Sequence, residues 1–182
     1  MSHEFVAHRL DVKAFAKAGA VLSGQDSLTR FERLLAETGA AGAPRLVHWE
    51  ARGEARTDAS GHAQIWLHLQ AEVSLPLTCQ RCLAPVDVAL AVDRSFRFVA
   101  TEAQAETEDE EAEEDVPALS RDFNLHELIE DELLMELPLV PRHEVCPAPV
   151  KLAVQDADFE AAEAQKPNPF AALANLKPGK PN

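Results

Sequence analysis

Two short spacings in this chain place soft metal ligands within reach of one ion. Cys79-x-x-Cys82 offers two thiols that can grip a tetrahedral metal, and His143-x-x-Cys146 repeats the two-residue spacing further on. Zinc sites are commonly completed by such a second pair, so Cys79, Cys82, His143 and Cys146 form a candidate structural Zn²⁺ site of three thiolates and one imidazole. Two other readings of the same residues stand beside it. The thiols could be reduced cysteines on a turn, or a redox pair. The pair lies between strand patterns, whereas a thioredoxin-like CxxC is expected in a βαβ context.

Other chemistry is thinly represented. Glu130-Asp131-Glu132 puts neighbouring carboxylates where acid–base work or Mg²⁺ binding for RNA cleavage is conceivable. Consecutive helical residues point about 100° apart, so Glu127, Glu130 and Asp131 read as a wet face opposite leucines. No Ser/His/Asp cluster, phosphate-cradling glycine loop or zinc-protease motif occurs, which leaves no candidate catalytic residue. Trp66, with His68 on the face opposite the aliphatics of its strand, is the remaining aromatic candidate for stacking on RNA bases.

The elements that must position these residues follow from periodicity. Val12 to Ala20 and Ser27 to Thr38 read as helices, the second with Ser27 as N-cap before Leu28, Phe31, Leu34 and Leu35. Arg45 to Arg52 reads as a strand. From His62 to Val73, Ile65, Leu67, Leu69, Ala71 and Val73 share one face. Val86, Val88, Leu90, Val92, Phe96 and Phe98 then repeat the pattern on a second strand. Cys79 and Cys82 fall at the connection between these two strands. Asn124 caps a helix through Leu125, Leu128, Ile129, Leu133 and Leu137, which Pro138 ends. The fold class is therefore α+β: N-terminal helices, an antiparallel sheet that could curl toward a barrel, and one helix packed on it after an acidic loop.

Charge separates the chain into regions. The formal charge is −14, which opposes nonspecific attraction to phosphate. Nine acids and no base lie between Glu102 and Asp115. Such a stretch has too little apolar surface to order itself, so 102–117 reads as a disordered loop. Residues 1–141 form the expected single domain, and 142–182 a mostly extended, Pro-rich tail. That tail carries Lys166, Lys177 and Lys180 beside Phe170, Leu173 and Leu176, a candidate partner-binding segment. With no long apolar run and no signal-like start, a cytoplasmic protein with no membrane partner is expected.

Leu75-Pro76-Leu77-Thr78-Cys79-Gln80-Arg81-Cys82, an alternating strand and an acidic stretch after it, then Leu128-Ile129-Glu130-Asp131-Glu132-Leu133 ending in Leu137-Pro138 together resemble the large ribosomal RNA subunit accumulation protein (YceD) family. Gln165-Lys166-Pro167-Asn168-Pro169-Phe170-Ala171 resembles the tail of its proteobacterial members. The resemblance implies a noncatalytic ribosome-biogenesis factor that supports synthesis, processing or stability of 23S ribosomal RNA. Its partners would be large-subunit precursor particles, a ribosomal protein or the 23S RNA itself. The competing readings are a metal-dependent RNA-processing enzyme that uses the carboxylates and a metal- or redox-responsive regulator that uses the cysteines.

Overall fold

The computed structural model describes residues 5–38, 44–57, 61–110 and 112–147. In chain order these form α1 (Val12–Lys17), β1 (Val21–Ser27), a 3₁₀ turn (Leu28–Arg30), α2 (Glu32–Thr38), β2 (Leu46–Thr57), β3 (Ala63–Thr78), β4 (Pro85–Phe98), α3 (Glu102–Asp109) and α4 (Leu125–Met135). The strands make an antiparallel meander in the order β1-β2-β3-β4. The class is α+β, and the sheet is open: β1 and β4 are its two ends, and the curl toward a barrel does not reach closure. None of the described helices is long and apolar enough to cross a membrane.

Alternation in β3 puts Ile65, Leu67, Leu69, Ala71, Val73, Leu75 and Leu77 on one buried face, with Leu90, Val92, Phe96 and Phe98 of β4 beside them. Phe15 of α1, Leu34 of α2, and Ile129 and Leu133 of α4 complete this core. Each such side chain contributes roughly 1.5 to 3 kcal/mol of transfer free energy. The opposite face of the sheet carries the polar residues Glu50, Gln70 and Asp93 and is open as a broad concavity.

α1 can sit tightly on β2 because residue 53 has no side chain. A Cβ there would lie 2.7 Å from the Phe15 ring and 2.8 Å from the Ala16 backbone, and the Gly53 N–H also donates to Ala20 O at 2.9 Å. Backbone cannot yield as a flexible side chain does, so Gly53→Ala is expected to lower stability by about 2 kcal/mol. Equilibrium urea unfolding should show this as a lower midpoint with an unchanged slope.

Several regions differ from the sequence expectations. The first helix stops at Lys17, and Val21–Ser27, partly given to no element and partly to the second helix, is the edge strand β1. Ser27 does act as a cap, its Oγ accepting from Thr29 N–H at 3.3 Å, but of the 3₁₀ turn that precedes α2. The 102–117 segment, expected as a disordered loop, contains α3, whose N-cap Thr101 accepts from Gln104 N–H. Its acids meet arginines of β4: Arg97 donates to Glu108 at 2.6 Å and Glu114 at 2.5 Å, and Arg94 donates to Asp115. Two backbone bonds, Arg97 N–H to Asp115 O and Val99 N–H to Pro117 O, both 3.0 Å, lay the return along the sheet edge, where Val116 is buried. The counter-charge and apolar cover that the segment lacks locally are supplied by β4.

Glu130, expected on a wet helical face, is buried at 8% exposure, as is Glu132 at 7%. Glu130 Oε1 accepts from the backbone N–H groups of Arg33 at 2.8 Å and Leu34 at 3.2 Å, while Oε2 accepts from Arg33 Nε at 3.0 Å. Those two amides belong to the first turn of α2, where no intrahelical acceptor exists, and Phe31 before the helix has no side-chain acceptor to offer. Glu130 thus caps a helix 97 residues away. Burial raises the pKa of Glu132, against the pull of Arg94 at 3.9 Å.

Candidate metal centre

The β3–β4 connection is a short loop with its own hydrogen bonds. Cys79 N–H donates to Ala84 O at 2.9 Å and Leu83 N–H to Cys79 O at 2.8 Å, with Leu83 at φ 60°. Thr78 and Pro85 are the last paired residues of the two strands, so Cys79 through Ala84 is presented at the end of the longest hairpin. Cys79 is fully buried, while Cys82 sits partly exposed further round the loop.

The segment after α4 is tied onto this loop. Gln80 N–H donates to Pro141 O at 2.8 Å. The Arg81 guanidinium reaches across, its Nη2 donating to the carbonyls of His143 at 2.8 Å and Glu144 at 3.1 Å, and its Nε to Cys146 Sγ at 3.1 Å. Residues 142–146, assigned to the tail from sequence, therefore belong with the folded unit, which runs through Cys146.

These ties bring the four candidate ligands together. The Sγ atoms of Cys79, Cys82 and Cys146 and a ring nitrogen of His143 all lie within 4.8 Å of one another. A tetrahedral zinc with bonds of about 2.3 Å to sulfur and about 2.0 Å to nitrogen needs ligand separations of roughly 3.5 to 3.8 Å. Cys82 Sγ and His143 Nδ1 are 3.5 Å apart. His143 Nε2 lies 3.0 Å from the carbonyl oxygen of Pro85, which can only accept, so the ring proton is on Nε2 and the Nδ1 lone pair faces the sulfurs. A carbonyl that fixes the tautomer in this way is the usual outer support of a histidine metal ligand.

The sulfurs are also prepared for ionisation unequally. Burial opposes the thiolate of Cys79, but the backbone N–H groups of His143, Cys82 and Arg81 donate to its sulfur and take the thiol down to about 5. At Cys82 the N–H of Ala84 favours the thiolate, yet burial and the neighbouring sulfurs of Cys79 and Cys146 outweigh it and push the thiol above its ordinary value. One anion is welcomed and a second is resisted. A divalent cation in the middle removes that resistance, because metal-bound thiols ionise outright. The residues fit a Cys₃His metal ion of the zinc type.

The other sequence candidates fare differently. Trp66 stands between two neighbours: the Arg56 guanidinium lies 5.0 Å from the centre of the indole, and the His68 ring lies 6.4 Å away and 6° from parallel. The register sets Arg56 opposite Gln64, on the side of Trp66 away from His68. The Arg56 guanidinium thus stands over the indole, whose Nε1 donates to Gln64 at 3.1 Å. Glu130 and Asp131 are both engaged with Arg33. The tail candidates Lys166, Phe170, Leu173, Leu176, Lys177 and Lys180 lie outside the described residues.

The sheet end, its cysteine loop and the segment that returns a second pair define a small α+β protein with a Cys₃His cluster at the tip of its longest hairpin. Residues 67–177, more than half of the chain, match the family described as large ribosomal RNA subunit accumulation protein YceD, and the chain belongs to that family. It is similar to the protein of that name from Haemophilus influenzae, with 38% identity over 119 residues, covering 58% of this chain and 62% of the relative. The matched part is thus less than two thirds of that relative's length. No solved structure matches the chain.

Proposed function

We propose that this protein is a noncatalytic ribosome-biogenesis factor of the cytoplasm that supports accumulation of 23S ribosomal RNA, and that a structural Zn²⁺ held by Cys79, Cys82, His143 and Cys146 secures its fold. The observation that carries the reading is the family match over residues 67–177, which spans all four ligands. The Haemophilus influenzae relative bears the name of a large ribosomal RNA subunit accumulation protein. On this proposal the partners of the present chain are large-subunit precursor particles, met through 23S RNA or a ribosomal protein.

A nuclease reading finds weaker support. Its carboxylates would have to hold Mg²⁺ with free oxygens, and Glu130 spends both of its own on α2 and Arg33. A redox regulator would need an exposed, reactive cysteine, whereas Cys79, whose thiol is shifted toward ionisation, is fully buried. Sucrose-gradient sedimentation of lysate, followed by blotting, separates the readings. The protein is expected in fractions holding large-subunit precursors and absent from mature ribosomes. Migration only with free protein, together with metal-dependent cleavage of precursor RNA by the purified chain, would overturn the proposal in favour of the enzyme.

A further inference from the structure

An acidic protein that meets ribosomal RNA needs cations that its own carboxylates have not already taken. Most of the cations among the described residues are taken. Among the described residues every Lys and Arg faces a carboxylate within ion-pair distance except Lys13, Lys17, Arg81, Arg121 and Arg142. Arg81 is spent on the cysteine loop. Of the remaining four, three line one cleft of about 490 Å³ between α1 and the chain that leads into α4: Lys13, Lys17 and Arg121.

The fold builds this cleft by pinning residues 119–123 at both ends. Leu119 N–H donates to Val99 O at 2.8 Å at the sheet edge, while Phe123 and Leu10 exchange backbone bonds of 3.1 and 2.8 Å at the entrance to α1. Between those anchors Asp122 is occupied by Arg9 at 2.5 Å, and Arg121 is left exposed over the cleft. Lys13 and Lys17 are one helical turn apart on α1 and equally exposed, so their amines emerge side by side. Leu119, Ala14 and Ala100 supply an apolar floor. Asp11 is the one acid in the lining, and its carboxylate is engaged with the Ala14 N–H at 2.9 Å.

We propose that this cleft binds the phosphodiester backbone of RNA, with Lys13, Lys17 and Arg121 as the phosphate-contacting cations. No residue of the acidic run from Glu102 to Asp115 lines the cleft, and three of its acids, Glu108, Glu114 and Asp115, are paired with Arg97 and Arg94. The proposal rests on the function proposed above for its biological setting, but its test uses pure RNA and is read separately. Each phosphate neutralised on a single strand contributes about 0.7 to the slope of log affinity against log salt, so three contacts give a slope of magnitude about 2.

The test is fluorescence anisotropy of a labelled oligouridylate with the full chain over a series of salt concentrations. Wild type should bind at low salt with a slope of that size. The combined Lys13→Gln, Lys17→Gln, Arg121→Gln variant should bind at least about tenfold more weakly, with most of the slope gone, whereas Arg142→Gln should match wild type. None of the three cations carries a structural ion pair, so the melting temperature should not move. Should the triple variant nevertheless be unstable, Lys17→Gln alone should still lower the slope by about 0.7. Folded wild type that binds no RNA at low salt overturns the proposal. So does a triple variant with unchanged affinity and slope. If that unchanged variant also loses co-sedimentation with large-subunit precursors, the cleft serves a protein partner instead. If wild type sediments with precursors but binds no RNA, the proposed function stands and this cleft does not carry it.

Discussion

Protein purified without a histidine tag is expected to carry one zinc ion per chain, and Cys79→Ser to carry almost none. The reason lies in the geometry of three sulfurs and one imidazole nitrogen gathered within 4.8 Å, with the His143 proton held away from them by Pro85. Without a cation, the environment that takes the Cys79 thiol down to about 5 resists ionisation of Cys82 beside it. Protons compete with the metal for these sulfurs, so acidification should strip the ion, and retention should improve as pH rises toward neutrality. With free zinc about a thousandfold above its dissociation constant, the bound ion stabilises the folded chain by about 4 kcal/mol, which a strong chelator should remove as a drop in melting temperature. The hairpin itself stands on the buried Leu75, Leu77 and Leu90, so chelation should loosen residues 141–147 first and leave the sheet folded. Elemental analysis and protease mapping with and without chelator read both parts. A metal-free wild type that is fully folded and unaffected by chelation would falsify the site.

Glu130→Ala should destabilise the protein by about 3 kcal/mol, and Glu130→Gln by about 1. Alanine leaves the N–H groups of Arg33 and Leu34 without their acceptor and Arg33 without one of its two carboxylate partners. Glutamine keeps an oxygen for the amides but sets an NH2 donor against the Arg33 guanidinium, which still holds Asp131, so it loses that ion pair and the charge assistance while the α2 cap survives. The ordering of the two variants carries the information. If the carboxylate acted as a surface charge, both substitutions would cost the same few tenths of a kcal/mol. Chemical denaturation of the two variants beside wild type settles which holds.

The legibility of this chain varied with how local the determining interactions are. β3 was readable because its buried face alternates without interruption from Ile65 to Val73, and the α4 start because Asn124 caps its own helix, accepting from His126 N–H at 3.2 Å. β1 was not. Val21–Ser27 has Ser, Gly, Gln and Asp among its seven residues, and it is a strand because β2 offers it a ladder from Arg52 to Leu46. The acidic run gave no sign of α3, since the arginines that neutralise it lie on β4. Glu130 had the composition of a wet helical position, and only the tertiary fold brings the bare first turn of α2 to it. The four residues that the fold gathers into one cluster are visible in the sequence as two pairs, because a two-residue spacing is a local signature of bidentate chelation. What joins the pairs, Arg81 and the Pro141 and Pro85 carbonyls, uses residue types that carry no such signature.

The most direct test of the central claim is the ratio of 23S to 16S ribosomal RNA in cells from which this chain has been removed, with complementation by wild type and by Cys79→Ser. The ratio is expected to fall on removal, to be restored by wild type, and to stay low with the cysteine variant. A ratio unchanged by removal would contradict the assignment to large ribosomal RNA accumulation.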